Sequence, residues 1–189
     1  MRYDPDLADR LGAFPTDRFK GEVFRATRKS ADPVAPSLSG GRWARPQSTD
    51  DPGTSVLYTS MERDGAMAEV ASVLADQSPV PGSLTIKVTR LAVTTSRTFR
   101  LVSASLAALG VDMSRYGERD YARTQEIGST LAWLGLDGLI APSARWTCES
   151  LMIFTDNHNL REKLESIGEE FVEWRQWAQQ HGVINGTEP

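Results

Sequence analysis

The chain has 189 residues, a length typical of one domain, and its hydrophobic content of 40% is ordinary for a soluble globule. Its 21 basic and 25 acidic residues give a net charge of −4 that is spread along the chain, which argues against a nucleic-acid-binding face. The single cysteine excludes an intrachain disulfide, and no apolar run approaches the ~20 residues that span a bilayer. Because the first residues also lack a signal-peptide pattern, we expect a cytoplasmic protein.

The first part of the chain predicts a short helix and then a strand. Leu7 and Leu11 lie four residues apart before a glycine and indicate a helix over residues 4 to 12. Alternating side chains predict a strand in Val23-Phe-Arg-Ala-Thr27, and Arg25 is its unexpected member. An arginine beside apolar neighbours needs an anion or a carboxylate partner, so Arg25 is either a ligand-binding residue or half of a structural salt bridge.

Residues 31 to 55 form a predicted loop that contains four of the ten prolines and little apolar periodicity. Gly40 and Gly41 lie inside it, immediately before Arg42. Paired glycines let a ligand approach the backbone closely, and the planar guanidinium of Arg42 suits phosphate oxygens. Since paired glycines are also common in ordinary turns, ligand binding is only one of two explanations.

A short strand and a helix follow this loop. Residues 56 to 60 predict a strand that carries Tyr58, and the spacing of apolar side chains predicts a helix over residues 62 to 75. Glu69 lies on the flank of that helix among small residues, where a carboxylate can reach a cleft. The alternative explanation for Glu69 is an ordinary solvated glutamate.

The second half of the chain predicts more strands and helices around a serine-containing loop. Ser143 lies between two short apolar runs of the kind that buried strands show. A simple turn residue is the alternative explanation for this serine. The predicted strands cover residues 84–93, 98–102, 138–141 and 151–154, and the predicted helices cover residues 104–109 and 121–134.

The C-terminal segment predicts one long helix from residue 157. Its apolar residues recur at spacings of three and four, and polar residues fill the other face. We expect this helix to pack on the domain through its aromatic residues. The alternative is a surface that pairs two copies of the chain, since aromatic side chains are enriched in interfaces. The apolar stripe consists of Leu160, Leu164, Ile167, Phe171, Trp174 and Trp177.

Several kinds of active site are poorly supported. The two histidines and the single cysteine form no cluster with zinc spacing, so no metal is expected. No dinucleotide fingerprint, Walker phosphate loop or nucleophile elbow is present. What remains is a set of arginines, one tyrosine, one glutamate and one serine, which suits a substrate that carries its own leaving group. Loss of nicotinamide from NAD is such a reaction, because a carboxylate can stabilise the positive charge of its transition state.

Five sequence blocks together resemble the RES domain, a family named for an arginine, a glutamate and a serine. The resemblance covers roughly residues 22 to 156, and the blocks occur in the family's order. It implies an α/β fold of the ADP-ribosyltransferase type, with a mixed β-sheet core flanked by helices, to which we add a C-terminal helical extension. The blocks are Ser39-Gly-Gly-Arg-Trp43, Val56-Leu-Tyr-Thr-Ser60, Ala66-Met-Ala-Glu69, Asp137-Gly-Leu-Ile-Ala-Pro-Ser-Ala-Arg145 and Leu151-Met-Ile-Phe154.

The resemblance also implies a function and a partner. RES proteins are toxins of bacterial toxin–antitoxin pairs that consume NAD by hydrolysis or phosphorolysis, or transfer ADP-ribose to a protein. An antitoxin of the Xre type, with a helix-turn-helix domain, usually blocks their site. Thr124 is a rival to Ser143 for the role of the site hydroxyl. Carried over by matching motif, the catalytic residues are Arg42, Tyr58, Glu69 and Ser143, and the residues that bind the substrate NAD are Arg25, Arg42 and Tyr58.

The chain departs from the family pattern after the Gly-Gly-Arg-Trp block. Ala44-Arg45-Pro46 replaces the family's Asn-Pro, and the loop up to residue 56 is several residues longer. These departures motivate an alternative in which the chain keeps the fold, has lost catalysis, and only binds NAD or a partner. The predicted organisation is an N-terminal helical segment over residues 1–21, a catalytic domain over 22–156, and a C-terminal helix and tail over 157–189.

Overall fold

The computed structural model describes residues 5–50 and 53–185 of the chain. Within them, helices and strands form a mixed α/β arrangement. A 3₁₀ turn over Met113–Arg115 lies between the third and fourth helices. The helices are α1 (Pro5–Gly12), α2 (Arg63–Ala75), α3 (Ser103–Ala108), α4 (Ala122–Trp133), α5 (Leu160–Lys163) and α6 (Trp174–Gln180). The strands are β1 (Asp17–Arg28), β2 (Val56–Ser60), β3 (Thr85–Arg100), β4 (Gly138–Pro142), β5 (Glu149–Phe154) and β6 (Leu164–Glu173).

The described strands form one six-stranded mixed sheet in the order β1-β2-β5-β4-β3-β6. β3 has 16 residues; it pairs with β6 in its first part, with β1 along most of its length and with β4 at its end. Because β1 pairs with both β2 and β3, these strands close the sheet on itself, while β6 stays at an edge. β2, β4 and β5 are mostly buried, as their continuous apolar runs predict.

The helices bury their apolar residues in two clusters. α1, α3 and α4 contribute to the first, and α2 and α6 contribute to the second together with β3. No helix among the described residues is long and apolar enough to cross a membrane. The helical members of the first cluster include Leu7, Leu11, Leu106, Ile127 and Leu131, and those of the second include Met67, Ala71, Leu74, Trp174 and Trp177.

Most of the predicted elements are confirmed, with two differences in the first hundred residues. The predicted N-terminal helix is α1, although residues 1–4 lie outside the described part of the chain. The rest of the predicted N-terminal segment is not helical, because residues 17–21 already belong to β1. The two strands predicted over 84–93 and 98–102 are one continuous strand, β3.

The predicted long C-terminal helix is wrong. Residues 164–173 form β6, which pairs with β3, and only the short α5 and α6 are helical; residues 186–189 of the predicted tail lie outside the described residues. The pairing register shifts beside Gly168, which marks a bulge in β6. Ile167 is the extra residue, because Gly168 pairs with Arg90 and Ser166 pairs with Leu91. The bulge interrupts the two-residue alternation of a strand, and the apolar residues on either side of it are then spaced as in a helix. Pairing with β3 outweighs that weak periodicity.

Two aromatic residues of the predicted stripe belong to the core of their own chain. Trp174 is fully buried and Trp177 is 4% exposed, and both pack in the cluster that contains α2. Phe171 does not share this packing, because it is 53% exposed on β6. The expected packing is therefore confirmed for the two tryptophans only. Since their own chain buries them, these tryptophans are not available to pair two copies of the protein.

The carboxylate of Glu173 ties the start of α6 to the start of β3. One oxygen accepts a hydrogen bond from the backbone N–H of Leu84 at 3.1 Å, and the other accepts one from Gln176 at 2.7 Å, as a helix N-cap does. Burial alone would raise the pKa of Glu173, but the backbone hydrogen bonds outweigh it and hold that pKa below its ordinary value of 4.5. The charged form is therefore the one that stabilises the fold.

Replacing Glu173 with Gln is expected to lower the free energy of unfolding at pH 7 by about 1 kcal/mol, since an amide offers one acceptor oxygen instead of two. Because the folded pKa lies below the unfolded one, the wild-type advantage is complete above about pH 5.5 and is lost as the pH falls through 4.5 and below. Urea unfolding at pH 7 and pH 4 measures both effects. Glu169→Gln, exposed on the same strand, is the matched control. An equal loss in both variants would contradict the capping role.

Candidate functional site

The glycine pair forms a tight turn that ends against Tyr58. The backbone N–H of Gly41 donates to the carbonyl of Ala44 at 2.8 Å, and Gly40 has a φ of +72°, in the left-handed region that favours glycine. A Cβ on Gly41 would lie 2.9 Å from the ring of Tyr58. Both glycines are therefore required by close packing, and the turn presents the next residue, Arg42, at a defined place.

Tyr58, on β2, contacts this turn through its ring and its hydroxyl. Its hydroxyl accepts a hydrogen bond from the backbone N–H of Trp43 at 3.1 Å. Burial raises the pKa of Tyr58, and the hydrogen bonds from Trp43 and Ala44 only partly oppose that shift, so the phenol is neutral at physiological pH. The hydroxyl of Tyr58 is therefore occupied by the backbone of the turn.

Helix α4 contacts the same turn through Gln125 and Gly128. The side-chain amide of Gln125 donates to the carbonyls of Gly41 at 2.9 Å and Ala44 at 3.3 Å. Gly128 lies so close to the turn that an added Cβ would be 2.0 Å from the carbonyl oxygen of Trp43. Neither residue was predicted as a site residue. The available signal was a glycine in the middle of a predicted helix, which costs stability unless a close approach requires it.

Arg42 points from the turn into a pocket of aromatic rings. The centre of its guanidinium lies 4.4 Å from the ring centroid of Tyr116 and 4.7 Å from that of Tyr121. One terminal nitrogen donates to the backbone carbonyl of Glu118 at 3.3 Å. Aromatic faces attract the cation without neutralising its formal charge, so the positive charge of Arg42 remains available to an anionic ligand.

Glu69 and Ser143 meet by a direct hydrogen bond. The Ser143 hydroxyl donates to Oε1 of Glu69 at 3.0 Å and accepts from the backbone N–H groups of Arg145 and Trp146 at 3.1 and 3.2 Å. The loop between β4 and β5 thus fixes the hydroxyl, which in turn fixes a carboxylate that is exposed on α2. A held but solvent-accessible carboxylate can face a ligand.

Tyr116 links the arginine to this pair, and the sequence did not single it out. Its hydroxyl donates to the carbonyl of Pro142, the residue before Ser143, at 2.9 Å. Burial raises the pKa of Tyr116 to about 12; the charge of Arg42 opposes this shift, and that of Glu69 adds to it. Both charges therefore lie within electrostatic range of one phenol, so the structure brings Arg42, Glu69 and Ser143 together.

Two other predicted residues are placed differently. Arg25, on β1, donates to the carbonyl of Pro33 at 3.2 Å; burial lowers its pKa to about 10, and the charge of Asp32 opposes that shift. It remains a cation at neutral pH, held by the loop that leads to the glycine turn. Thr124 is only 2% exposed and donates to the carbonyl of Tyr121, the residue before its own helix, so its hydroxyl is less accessible than that of Ser143.

An open groove of about 560 Å³ runs beside the loop that carries Ser143. Met61, Trp146 and Cys148 contribute to its walls. Burial raises the pKa of the Cys148 thiol, which argues against a thiolate nucleophile. In residues 5–50 and 53–185, no cluster of three or more His, Cys, Asp or Glu side chains could hold a metal ion. Arg42 can bind an anion, and the Glu69 carboxylate can stabilise a developing cation.

Helix α6 supports the Ser143 loop from behind. The ring of Trp146 lies 5.9 Å from that of Trp177 and 5.6 Å from that of His181, and the last two are stacked at 4.1 Å. The indole N–H of Trp177 donates to Asp64 on α2 at 3.0 Å. The C-terminal helix therefore braces both the helix that carries Glu69 and the loop that carries Ser143.

Comparisons with known proteins agree with this architecture. The family model described as the RES domain matches residues 22–174, and so extends through β6, beyond residue 156. A Mycobacterium tuberculosis protein named as a probable NAD(+) phosphorylase is 30% identical over 152 residues, which are 78% of this chain and 71% of that protein. A chain in the crystal structure of the M. tuberculosis MbcT–MbcA toxin–antitoxin complex superimposes with a TM-score of 0.78 at 16% identity, covering 95% of this chain and 98% of that one.

Proposed function

Because this chain belongs to the RES domain family, we propose that its site cleaves the bond between nicotinamide and ribose in NAD, and that the protein is the toxin of a bacterial toxin–antitoxin pair. The observation that carries this proposal is the Glu69–Ser143 hydrogen bond beside the tyrosine that also holds Arg42. The name of the M. tuberculosis relative adds support, since NAD is the substrate in that name.

The proposed chemistry needs a carboxylate more than it needs an acid or a base. The nicotinamide of NAD is a pyridinium, so it leaves as a neutral ring and needs no proton. Positive charge then develops on the ribose, in an oxocarbenium-like transition state. Glu69 stabilises that charge, and the hydrogen bond from Ser143 keeps its carboxylate oriented without neutralising it. A second role of Ser143 is to position a hydroxyl or the carboxamide of the substrate.

The remaining predicted residues bind the rest of the dinucleotide. Arg42 lies against the pyrophosphate in this proposal, and Arg25, held at the carbonyl of Pro33, provides a second cation. Tyr58 packs with its ring against nicotinamide or its ribose, since its hydroxyl is occupied by the backbone of Trp43. Arginines suit the two phosphates, because a guanidinium forms strong, paired hydrogen bonds with phosphate oxygens.

The acceptor of the ADP-ribosyl group distinguishes three versions of the function. Incubating the purified protein with NAD, with and without inorganic phosphate, and following the products by ³¹P NMR and mass spectrometry separates them. We expect an ADP-ribosyl phosphate product when phosphate is present, because the M. tuberculosis relative is named for phosphorolysis. ADP-ribose in both reactions would instead identify hydrolysis, and a mass increase on an added protein would identify transfer. Unchanged NAD throughout would favour a module that binds without catalysis, which Ala44-Arg45-Pro46 motivates.

We further propose that the partner is an antitoxin of the Xre type, with a helix-turn-helix domain, that covers this site in the cytoplasm. The likeness of the fold to a chain of a toxin–antitoxin complex supports a partner of that kind. Growth arrest on expression of this chain, relieved by co-expression of a neighbouring helix-turn-helix protein, is the expected result. Arrest that no neighbouring protein relieves would argue against the antitoxin.

A further inference from the structure

The segment between α3 and α4 contacts three separate parts of the site. Tyr116 lies in it, 7% exposed, and Tyr121 lies at its end, immediately before α4. Arg119, between them, donates to the carboxylate of Asp76 and to the carbonyl of Ser72 at the end of α2, the helix that carries Glu69. The segment therefore reaches the Arg42 turn, the Ser143 loop and the Glu69 helix, although it contains none of the family's motif residues.

The rings of Tyr116 and Tyr121 both lie against the Arg42 guanidinium. Centroid distances of 4.4 and 4.7 Å are well inside the ~6 Å range of cation–π attraction. A free arginine side chain samples many rotamers, so contact with two rings removes freedom that substrate binding would otherwise have to remove. The hydrogen bond to the carbonyl of Glu118 adds a directional restraint to the same group.

The hydroxyl of Tyr116 acts on a different part of the site. It donates to the carbonyl of Pro142, the last residue of β4, and Ser143 follows directly. Ser143 then holds Glu69. A shift of this carbonyl therefore moves the serine and, through it, the carboxylate. One residue thus acts on the arginine through its ring and on the serine through its hydroxyl.

We propose that Tyr116 is a positioning residue that sets the Arg42 cation and the Ser143–Glu69 pair relative to each other, with Tyr121 as its partner on the arginine side only. This proposal rests on the proposed function, because it assigns the two contacts to two different steps. The ring contact preorganises substrate binding, and the hydroxyl contact preorganises the bond-breaking step. The two contributions are separable by substitution.

Kinetics of nicotinamide release test this separation. Tyr116→Phe keeps the ring and loses the hydroxyl, so we expect kcat to fall about tenfold, the rate equivalent of one net hydrogen bond, with KM for NAD nearly unchanged. Tyr121→Leu should instead raise KM about tenfold and leave kcat nearly unchanged, as expected for a lost cation–π contact. Tyr116→Leu should do both. A loss of thermal stability with unchanged kcat and KM in all three variants would overturn the proposal.

A matched control breaks a cation–aromatic contact elsewhere. Lys29 lies 5.6 Å from the ring centroid of Phe171 on the edge strand β6, and Phe171→Leu should leave both kcat and KM as in the wild type. If this variant raised KM as much as Tyr121→Leu does, the effect would not be specific to Arg42 and the proposal would fail.

An NMR measurement separates this proposal from the reaction itself. In protein with ¹³C,¹⁵N-labelled arginine, the side-chain signals of Arg42, assigned by their loss in Arg42→Lys, should be shifted upfield by the two rings. They should move towards random-coil positions in Tyr116→Leu and Tyr121→Leu but not in Tyr116→Phe. A wild type that shows these shifts but releases no nicotinamide would support the positioning of Arg42 and refute the proposed function. Random-coil signals in the wild type would refute the positioning role even if NAD were consumed.

Discussion

Replacing Glu69 with Gln is expected to slow NAD consumption by at least about 100-fold while the protein stays folded, the effect of removing one well-placed electrostatic group. Glutamine has nearly the same shape, and its carbonyl oxygen can still accept the hydrogen bond from Ser143. What it lacks is the negative charge that stabilises the developing cation. Because Glu69 is exposed on α2, the substitution removes no core contact. Nicotinamide release measures the rate, and circular dichroism checks the fold.

Glu62→Gln is the matched control for this substitution. Glu62 lies seven residues earlier, as the N-cap residue of α2, and is also exposed, but it makes no hydrogen bond through its side chain to the N-terminal backbone of the helix. Its replacement removes the same charge from the same helix. Glu62 also lines the groove beside Ser143, but Ser143 donates its hydrogen bond to Glu69 and not to Glu62. We expect at most a severalfold effect, because the charge of an exposed carboxylate is screened by salt. If Glu69→Gln consumed NAD at the native rate, or if both variants slowed it equally, Glu69 would not be the catalytic carboxylate.

Replacing Gly128 with Ala is expected to damage both stability and activity. The new Cβ would lie 2.0 Å from the carbonyl oxygen of Trp43 and 2.9 Å from its carbonyl carbon, so α4 and the glycine turn must move apart. Overpacking of this kind lowers the free energy of unfolding by about 1–3 kcal/mol, and by more when two backbone segments must move apart. This loss outweighs the ~1 kcal/mol that alanine gains over glycine as a helix former. The displaced turn also carries Arg42. We therefore expect a fall of about 100-fold in kcat/KM among molecules that still fold.

Gly12→Ala separates this clash from the general effect of losing a glycine. Gly12 ends α1, and a Cβ there would meet nothing within 4 Å. Urea unfolding and NAD consumption of the two variants should differ sharply, with Gly12→Ala close to the wild type. A Gly128→Ala protein as stable and active as Gly12→Ala would contradict the close packing of α4 on the turn.

Each motif of the candidate site is local in the sequence, so it can be found without the fold. A glycine pair followed by arginine predicts a turn that presents a cation, and the structure adds that Tyr58 and α4 enclose this turn. Glu69 and Ser143 were predicted separately, 74 residues apart, and their hydrogen bond joins them. Their spacing in the chain carries no information about that contact, which depends on how β4 and α2 are placed by the sheet.

Tyr116 and the C-terminal strand were not predictable for different physical reasons. Tyr116 lies in a polar segment without periodicity, and its burial comes from tertiary contacts with Arg42 and Pro142. In β6, a bulge beside Gly168 breaks the alternation that marks a strand, while the tryptophans after it do belong to a helix. The apolar spacing along residues 160–177 therefore predicts one helix where the structure has the strand β6 followed by the helix α6. Only the pairing of β6 with β3 distinguishes the two elements.

In the proposed function, this protein removes nicotinamide from NAD with Glu69 as the charged group. The most direct test is to measure free nicotinamide after incubating the purified, antitoxin-free protein with NAD, with and without phosphate, beside the Glu69→Gln variant. We predict one nicotinamide released for each NAD lost by the wild type, and release at least about 100-fold slower in the variant. A folded wild-type protein that leaves NAD intact in both conditions would contradict the proposed function.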